Sequence, residues 1–337
     1  MAASAAGEWN TKPTVGNGRM INRLWRRLRG RIRLIIHILG LVVLVGIILW
    51  GGPEAWRQVS QGKPGPIIAA FLLTGVGNML SAVRLKLVVQ AASPGTRPSW
   101  RRLYYLTMAA NTAGLVLPRS VSTVGGKSVG LKAMGISVRR SVSTVFVDNA
   151  FDLFLLTPLV LPGILFLQGR ISEGSFFLMT AAICLVLSAV LWWGLEEKRL
   201  EKLANWLENL SRPSLLARLP LAQGVRLLPG RSAALIVFGL TLLLNGLLAV
   251  RYFWVGTAVS LEYGWVLYVA AFPLTQLSLV FGGLGIFDAS WYGVLFLAGL
   301  PEQEALTFVI AQRAYIFVFI LLWTGVSYFL SLSIRSK

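Results

Sequence analysis

Two carboxylates and one guanidinium lie inside apolar stretches of this sequence, where a charge is costly. Asp148 and Asp152 lie in the run SVSTVFVDNAFDLFLL, and Arg313 lies in EALTFVIAQRAYIFVFI. Asp148 and Asp152 are four residues apart, so on a helix they share one face. A charged side chain at the centre of a bilayer costs at least about 2.5–3.5 kcal/mol, and we therefore expect each to face a cavity or a partner.

Each of these charges allows a functional and a structural interpretation. Asp148 and Asp152 could bind a proton or a cationic headgroup, or they could pack helices as a protonated or hydrogen-bonded pair. The guanidinium of Arg313 suits a phosphate or a carboxylate. Its structural alternative is an ion pair with Asp288 or with either of the other two aspartates. We expect the functional role for all of them.

A glycine break with an acid directly after it is a further candidate site. Gly282, Gly283 and Gly285 interrupt the apolar segment 265–300, and Asp288 follows. A broken helix is tolerated in a bilayer only where protein or a wet cavity covers the backbone. The ends of the two half-helices would then supply partial charges and free backbone groups to a ligand.

The segment 103–135 is broken in the same way, at Pro118 and at the glycine pair 125–126. Arg119 follows the first break and Lys127 follows the second. Both could contact a lipid headgroup, or they could be ordinary basic residues flanking a span on its inner side. Each broken segment contains two half-length apolar pieces, which indicates a re-entrant hairpin.

Composition places these residues in a membrane protein. Of the 337 residues, 55% are apolar and 13% are charged, whereas a soluble domain carries about 25% charged residues. Several apolar runs reach the roughly 20 residues that cross a bilayer as a helix. The runs lie near 34–50, 67–84, 141–167, 176–194, 232–251 and 305–330. We predict an all-α polytopic membrane protein with about six transmembrane helices and two re-entrant hairpins.

The distribution of basic residues predicts the topology. Most of the 32 Lys and Arg residues lie in segments 1–33, 84–102, 119–140, 196–231 and 335–337. An excess of Lys and Arg marks the cytoplasmic side, so we expect both termini there, in a multi-pass protein of the cell inner membrane. The same bias can produce the net charge of +19, and we expect no nucleic-acid partner.

The chain divides into a basic cytoplasmic segment, 1–33, and a single transmembrane domain, 34–334. In the loop 196–231, apolar residues between 200 and 210 recur on one helical face. This spacing predicts an amphipathic helix on the membrane surface, and a solvated connector is the alternative.

Two parts of the chain resemble each other. NMLSAVR at 78–84 matches NGLLAVR at 245–251 at five of seven positions, with an offset of 167. The alignment continues with Trp100 on Trp265 and then, at an offset of 164, with Gly135 on Gly299 and Asp148-Asn149 on Gln312-Arg313. We predict two repeats, about 67–168 and 232–331, and chance similarity between apolar sequences is the alternative. One span, 176–194, separates them, so they would be inverted, as in many secondary transporters.

Four motifs carry a family resemblance: LVLPRSVSTVGGKSVGLKAMG, SVSTVFVDNAFDL, FGGLGIFDAS and GLPEQEALTFVIAQRAY. Together they resemble the transmembrane region of lysylphosphatidylglycerol synthases, a flippase-like family, over most of residues 35–330. In the family the late motifs look like GGxGxxEA and a tyrosine–arginine, so Asp288 stands for the acid and Arg313 matches the arginine. The chain departs from the family at Lys127, where an acid is common, and at Asp148-Asn149, where an acid–arginine pair is common.

The resemblance implies movement of aminoacylated phospholipids or other lipid-linked molecules between leaflets. We expect a flippase or transporter without cofactor, metal or enzymatic activity, and without the aminoacyltransferase domain of larger members. The alternative is an accessory subunit that presents lipid to a separate synthase or glycosyltransferase, and a homo-oligomer is a further expectation. The substrate would contact Asp148, Asp152, Asp288 and Arg313, with Arg119, Lys127 and the glycines 282, 283 and 285 nearby.

Overall fold

The structure is a computed structural model, and it describes residues 42, 44–115, 117, 120–196, 199, 201–202, 205, 230–281 and 285–332. Their ordered elements are helices. The basic segment 1–33, most of the first predicted span and most of the predicted surface helix at 200–210 lie outside the described residues.

Ten α-helices and one π-helical turn are described in full. They are α1 (Gly52–Ser60), α2 (Pro64–Ala92), α3 (Trp100–Ala113), the π-helical turn (Ser120–Gly126), α4 (Lys127–Ala133), α5 (Val138–Leu167), α6 (Glu173–Gly194), α7 (Arg231–Ala258), α8 (Trp265–Phe281), α9 (Ile286–Leu297) and α10 (Glu302–Leu332).

Five of these helices, α2, α5, α6, α7 and α10, are long and apolar enough to cross a membrane. They correspond to five of the six predicted spans. The pieces of the two broken segments are shorter, because α3, α8 and α9 have 14, 17 and 12 residues. A crossing needs about 20 residues, with a lower limit of about 17, so α3 and α9 agree with the predicted half-length pieces, whereas α8 is longer than half a crossing.

Prolines lie inside two of the apolar helices, and a glycine marks a close contact between the same two helices. α5 contains Pro158 and Pro162, and α8 contains Pro273. A Cβ at Gly163 of α5 would lie 2.5 Å from the carbonyl oxygen of Ala270 in α8. The absence of a side chain at this position therefore lets the two backbones touch.

The packing of the helices repeats between the two halves of the chain. α2 packs most extensively on α7, and these are the first helices of the two predicted repeats. The second helix of each repeat packs on the last helix of the other, α3 on α10 and α8 on α5. Each repeat therefore makes the same kind of contact with the other, as expected for two similar units that pack together through α2 and α7.

Positions that the sequence pairs also play the same structural part in both repeats. Thr74 and Thr241 each donate to the carbonyl four residues earlier, and Asn78 and Asn245 each donate to the carbonyl of the threonine. Trp100 and Trp265 are the first residues of α3 and α8. The repeat is thus present in the hydrogen bonding as well as in the sequence. The opposite orientation of the two copies depends on α6 crossing the membrane and stays a prediction.

Two paired glycines end the last short helix of each copy. Gly135 has φ +90° and Gly299 has φ +89°, and in both places the next residue donates to the carbonyl five residues earlier. This left-handed cap is strained for a residue with a Cβ, by about 1–2 kcal/mol. Since a Cβ at either position would meet no neighbour, the backbone conformation is the reason for glycine.

We expect Gly135→Ala and Gly299→Ala each to destabilise the protein by about 1 kcal/mol, because alanine disfavours positive φ. The measurement is the apparent melting temperature in detergent, read as the monodisperse fraction left after heating. Gly239→Ala in α7 is the matched control, since that glycine has open space and an ordinary helical φ. It should keep or raise the melting temperature, and equal effects of all three variants would contradict the cap.

Candidate functional site

The buried charges fall into two separate groups rather than one. The first is the paired-charge cluster, which we define as Arg84, Lys127, Asp148 and Asp152. Arg84 of α2 donates to Asp148 through Nε at 2.9 Å and to both carboxylate oxygens of Asp152 at 2.6 and 2.9 Å. Lys127 Nζ lies 3.1 Å from the second carboxylate oxygen of Asp148.

The paired-charge cluster is balanced in charge, and three of its four side chains lie out of water. Two cations face two anions, and Arg84, Lys127 and Asp148 are all nearly or fully buried. Two residues of α7 add further hydrogen bonds. Thr241 accepts one from Arg84 at 3.1 Å, and Asn245 donates one to Asp152 at 3.1 Å. Charges out of water are stable only with such full pairing. The four side chains are therefore paired with one another within the protein, and Asp152 alone is partly exposed.

The second group surrounds Asp288, which is fully buried in the first turn of α9. Its carboxylate accepts hydrogen bonds from Gln312 Nε2 at 2.8 Å, from Arg313 Nη2 and from the backbone N–H of Gly285 at 3.1 Å. Gly285 has φ +85°, a conformation that glycine adopts without cost. The break thus turns backbone N–H groups at a helix start toward a carboxylate, and the helix dipole favours that negative charge.

A cavity of about 180 Å³ lies beside the Asp288 group and between the two repeats. We call it the polar cavity. Its described lining combines two arginines with four amides, three hydroxyl-bearing side chains and an apolar remainder. The residues with polar groups are Arg251, Arg313, Asn78, Asn111, Gln276, Gln312, Ser122, Thr123 and Tyr252. Helices from both copies supply them, so the cavity lies at the interface of the repeats.

Arg251 is the most unusual residue of this lining. It is only 6% exposed, and its Nε is buried without a hydrogen-bond partner. Its guanidinium carbon lies 4.6 Å from the ring centroid of Tyr252, a cation–π contact. No ion pair joins Arg251 to any residue in the part of the chain that the structure describes. A buried arginine in this state still has donors to offer an anion.

A second hollow of about 300 Å³ adjoins the polar cavity through shared residues. We call it the apolar hollow. Arg313 and Phe317 line both spaces. The other described residues of the apolar hollow are aliphatic or aromatic and come from α1, α10 and residues 44–48. A charged side chain and an apolar surface therefore meet at Arg313. This side chain is 22% exposed, and its Nε has no hydrogen-bond partner.

The structure separates the residues that the sequence places in one site. Arg313 lines the polar cavity and Asp288 lies directly behind it, with Gly285 at the helix start. Asp148, Asp152 and Lys127 belong to the paired-charge cluster and are not among the residues that line the polar cavity. The sequence predicts that the two aspartates contact a ligand. In the structure the guanidinium of Arg84, a cation of the chain itself, occupies that place.

Arg119, Gly282 and Gly283 lie outside the described residues. Two further arginines are important in the structure: Arg84 at the centre of the paired-charge cluster and Arg251 in the lining of the polar cavity. Charge counting places Arg84 in the basic segment 84–102, yet it is buried within α2, and it gives no role to Arg251. The available signal was the repeat itself, since both arginines end the matching motifs NMLSAVR and NGLLAVR.

A comparison with protein families decides what kind of membrane protein this is. The model described as the lysylphosphatidylglycerol synthase TM region matches residues 37–324. The chain belongs to this family. The match covers the first repeat, the second repeat as far as residue 324, and every residue of the two charge groups. A comparison with curated proteins gives no match. The five long apolar helices agree with a membrane protein of the lysylphosphatidylglycerol synthase transmembrane-region family.

Proposed function

We propose that this member of the family moves a lipid between the two leaflets of the cell inner membrane. The headgroup passes through the polar cavity, and the acyl chains stay in the apolar hollow and the surrounding lipid. Both termini are cytoplasmic in this proposal, and the two repeats are inverted. The protein acts without a cofactor and without chemical change to the lipid.

The observation that carries the proposal is the meeting of the two spaces at Arg313. A lipid is amphipathic, and it needs a polar site and an apolar site within the length of one molecule. The polar cavity and the apolar hollow share Arg313 and Phe317, so one molecule can occupy both. Sites of this kind in transporters lie at the interface of two repeats, where broken helices end.

The paired-charge cluster supports the proposal in a different way. Its charges join α2, α4 and α5 of the first copy to each other and to α7 of the second. Such a network holds one wall of the repeat interface in place while the cavity side stays open. We assign it a structural role beside the translocation path.

The test is lipid translocation by the purified protein in vesicles. Unilamellar vesicles carry fluorescent phosphatidylglycerol or phosphatidylcholine, and dithionite destroys the label in the outer leaflet alone. Without translocation about half of the signal survives, and with it the signal falls toward zero. We expect the protein to lower the plateau for at least one of the two lipids, and empty vesicles give the baseline.

Exposed Arg170 offers a control, because Arg170→Gln removes a charge that belongs to no described ion pair and should leave the plateau low. A plateau at the empty-vesicle level for both lipids, with monodisperse protein, would overturn the translocation proposal. Retention of a separate lipid-modifying enzyme during purification, together with that result, would favour the accessory-subunit alternative.

A further inference from the structure

The repeat explains why Arg251 has no carboxylate partner among the described residues. Arg84 and Arg251 are equivalent positions, each six residues after the paired asparagine of its first helix. Arg84 is neutralised by Asp148 and Asp152, both from the last helix of its own copy. The last helices of the two copies, α5 and α10, align in sequence at an offset of 164. This alignment identifies the residues that would neutralise Arg251 if the second copy were like the first.

Those residues are neutral in the second copy. The position of Asp148 is taken by Gln312, and the position of Asp152 is taken by Ile316. Both line the polar cavity together with Arg251. The second copy thus keeps the arginine and lacks its two acids, and a cavity lies where the first copy has an ion pair.

The remaining charge of the polar cavity is positive. Asp288 neutralises Arg313 from behind and is itself fully buried. Arg251 adds a second cation, and the described residues that line the cavity include no carboxylate to balance it. A buried unpaired charge is costly, so an anion that enters the cavity relieves that cost.

We propose that the polar cavity binds the anionic phosphate of the lipid headgroup, with Arg251 as its main ligand. The phosphate takes the place beside Arg251 that Asp148 and Asp152 take beside Arg84. A guanidinium forks onto two phosphate oxygens as it does onto a carboxylate, and Arg313 and the amides of the lining have further donors for the other oxygens. The inference rests on the proposed function, because it names the chemical class of the lipid.

A lipid rather than a soluble phosphate is favoured by the neighbouring apolar hollow. Its lining is aliphatic and aromatic apart from Arg313, and it would leave a free phosphate ion without contacts. A short-chain phosphatidylglycerol would fill both spaces. The shared chemistry is therefore a phosphate ester, and acyl chains are what distinguish the two sources.

The experiment measures binding in neutral detergent, apart from translocation. Wild-type protein, which has 12 tryptophans, is titrated with dioctanoyl phosphatidylglycerol, with dioctanoylglycerol and with inorganic phosphate, using intrinsic fluorescence. We expect the phosphatidylglycerol to bind at least about tenfold more tightly than either of the others. Arg251→Gln should weaken its binding at least about tenfold, the usual range for a lost hydrogen bond to a charged group.

A second variant tests the symmetry argument while keeping Arg251. Ile316→Asp supplies the carboxylate that the first copy has at this position, and it should compete with the phosphate and weaken binding to a similar extent. Arg170→Gln is the matched control and should bind like wild type. In lipid-free detergent, Arg251→Gln should not lower the apparent melting temperature, because Arg251 makes no described ion pair.

Each outcome decides the proposal. Equal binding of the neutral and the anionic lipid, or unchanged affinity in Arg251→Gln and Ile316→Asp, would overturn it. Inorganic phosphate binding as tightly as the lipid would overturn the lipid as the source. Translocation without preference for the anionic lipid in binding would leave the proposed function standing without this site. Preferential binding without translocation would leave the site standing and remove the proposed function.

Discussion

Arg84→Met is expected to destabilise the folded protein by about 3–5 kcal/mol, the range for one partner removed from a buried ion pair. The substitution keeps an apolar stem, removes the cation that Asp148 and Asp152 share, and leaves Lys127 as the described ion-pair partner of Asp148. The fully buried carboxylate of Asp148 and the partly buried carboxylate of Asp152 would then be less well neutralised. Apparent melting temperature in detergent, read by size-exclusion chromatography after heating, measures the loss.

A charge-balanced double variant separates pairing from packing. Arg84→Met with Asp152→Leu removes one cation and one anion and leaves the pair of Lys127 with Asp148 in place. We expect this variant to recover most of the lost stability. Exposed Arg170→Met should change little. A double variant as unstable as Arg84→Met would show that the guanidinium stabilises through its shape and not through its charge.

Arg313→Gln is expected to reduce lipid translocation at least about tenfold, because Arg313 is the charged residue that both the polar cavity and the apolar hollow share. The lipid would lose the paired N–H donors of the guanidinium at the junction between its headgroup and its acyl chains. The effect is measured in vesicles as the initial rate at which dithionite destroys the fluorescence that starts in the inner leaflet. The same preparation should remain monodisperse, so that folding and translocation are compared on one sample.

Arg313 also neutralises Asp288, and a second variant distinguishes the two roles. Arg313→Gln with Asp288→Asn removes the acid that would be left unpaired, while the amide can keep the contact with Gln312. Translocation should stay low if Arg313 contacts the lipid. Recovery to the wild-type rate in the double variant would mean that Arg313 serves only to pair Asp288, and it would remove Arg313 from the translocation path.

The helical architecture follows from local properties of the sequence. Apolar runs of about 20 residues predict long helices, and Pro118 and the glycines near 282–285 predict short ones, because bilayer thickness and backbone sterics act within a few turns. Five predicted spans match long apolar helices, and each broken segment is divided into shorter helices. The repeat was also visible, since Gly135 and Gly299 need the same left-handed conformation.

The pairing of the charges did not follow from local properties. The sequence predicts one site for Asp148, Asp152, Lys127, Asp288 and Arg313, because all five lie in or near apolar segments. Arg84 meets Asp148 across 64 residues of sequence and the contact of α2 with α5. Hydropathy and charge counts carry no information on which helices touch, and so a residue at the end of a span was assigned to an inside loop.

The sequence by itself determined the fold class, the two repeats and the difference between them: two acids accompany the arginine of the first copy, and a glutamine and an isoleucine stand at their positions in the second. Only the tertiary structure decided that this difference becomes a cavity. The reason is that ion pairs and cavities form between helices far apart in the chain. The packing of the helices brings Arg84 of α2 and Arg251 of α7 each to the last helix of its own copy. There Arg84 meets two carboxylates, and Arg251 lines the polar cavity.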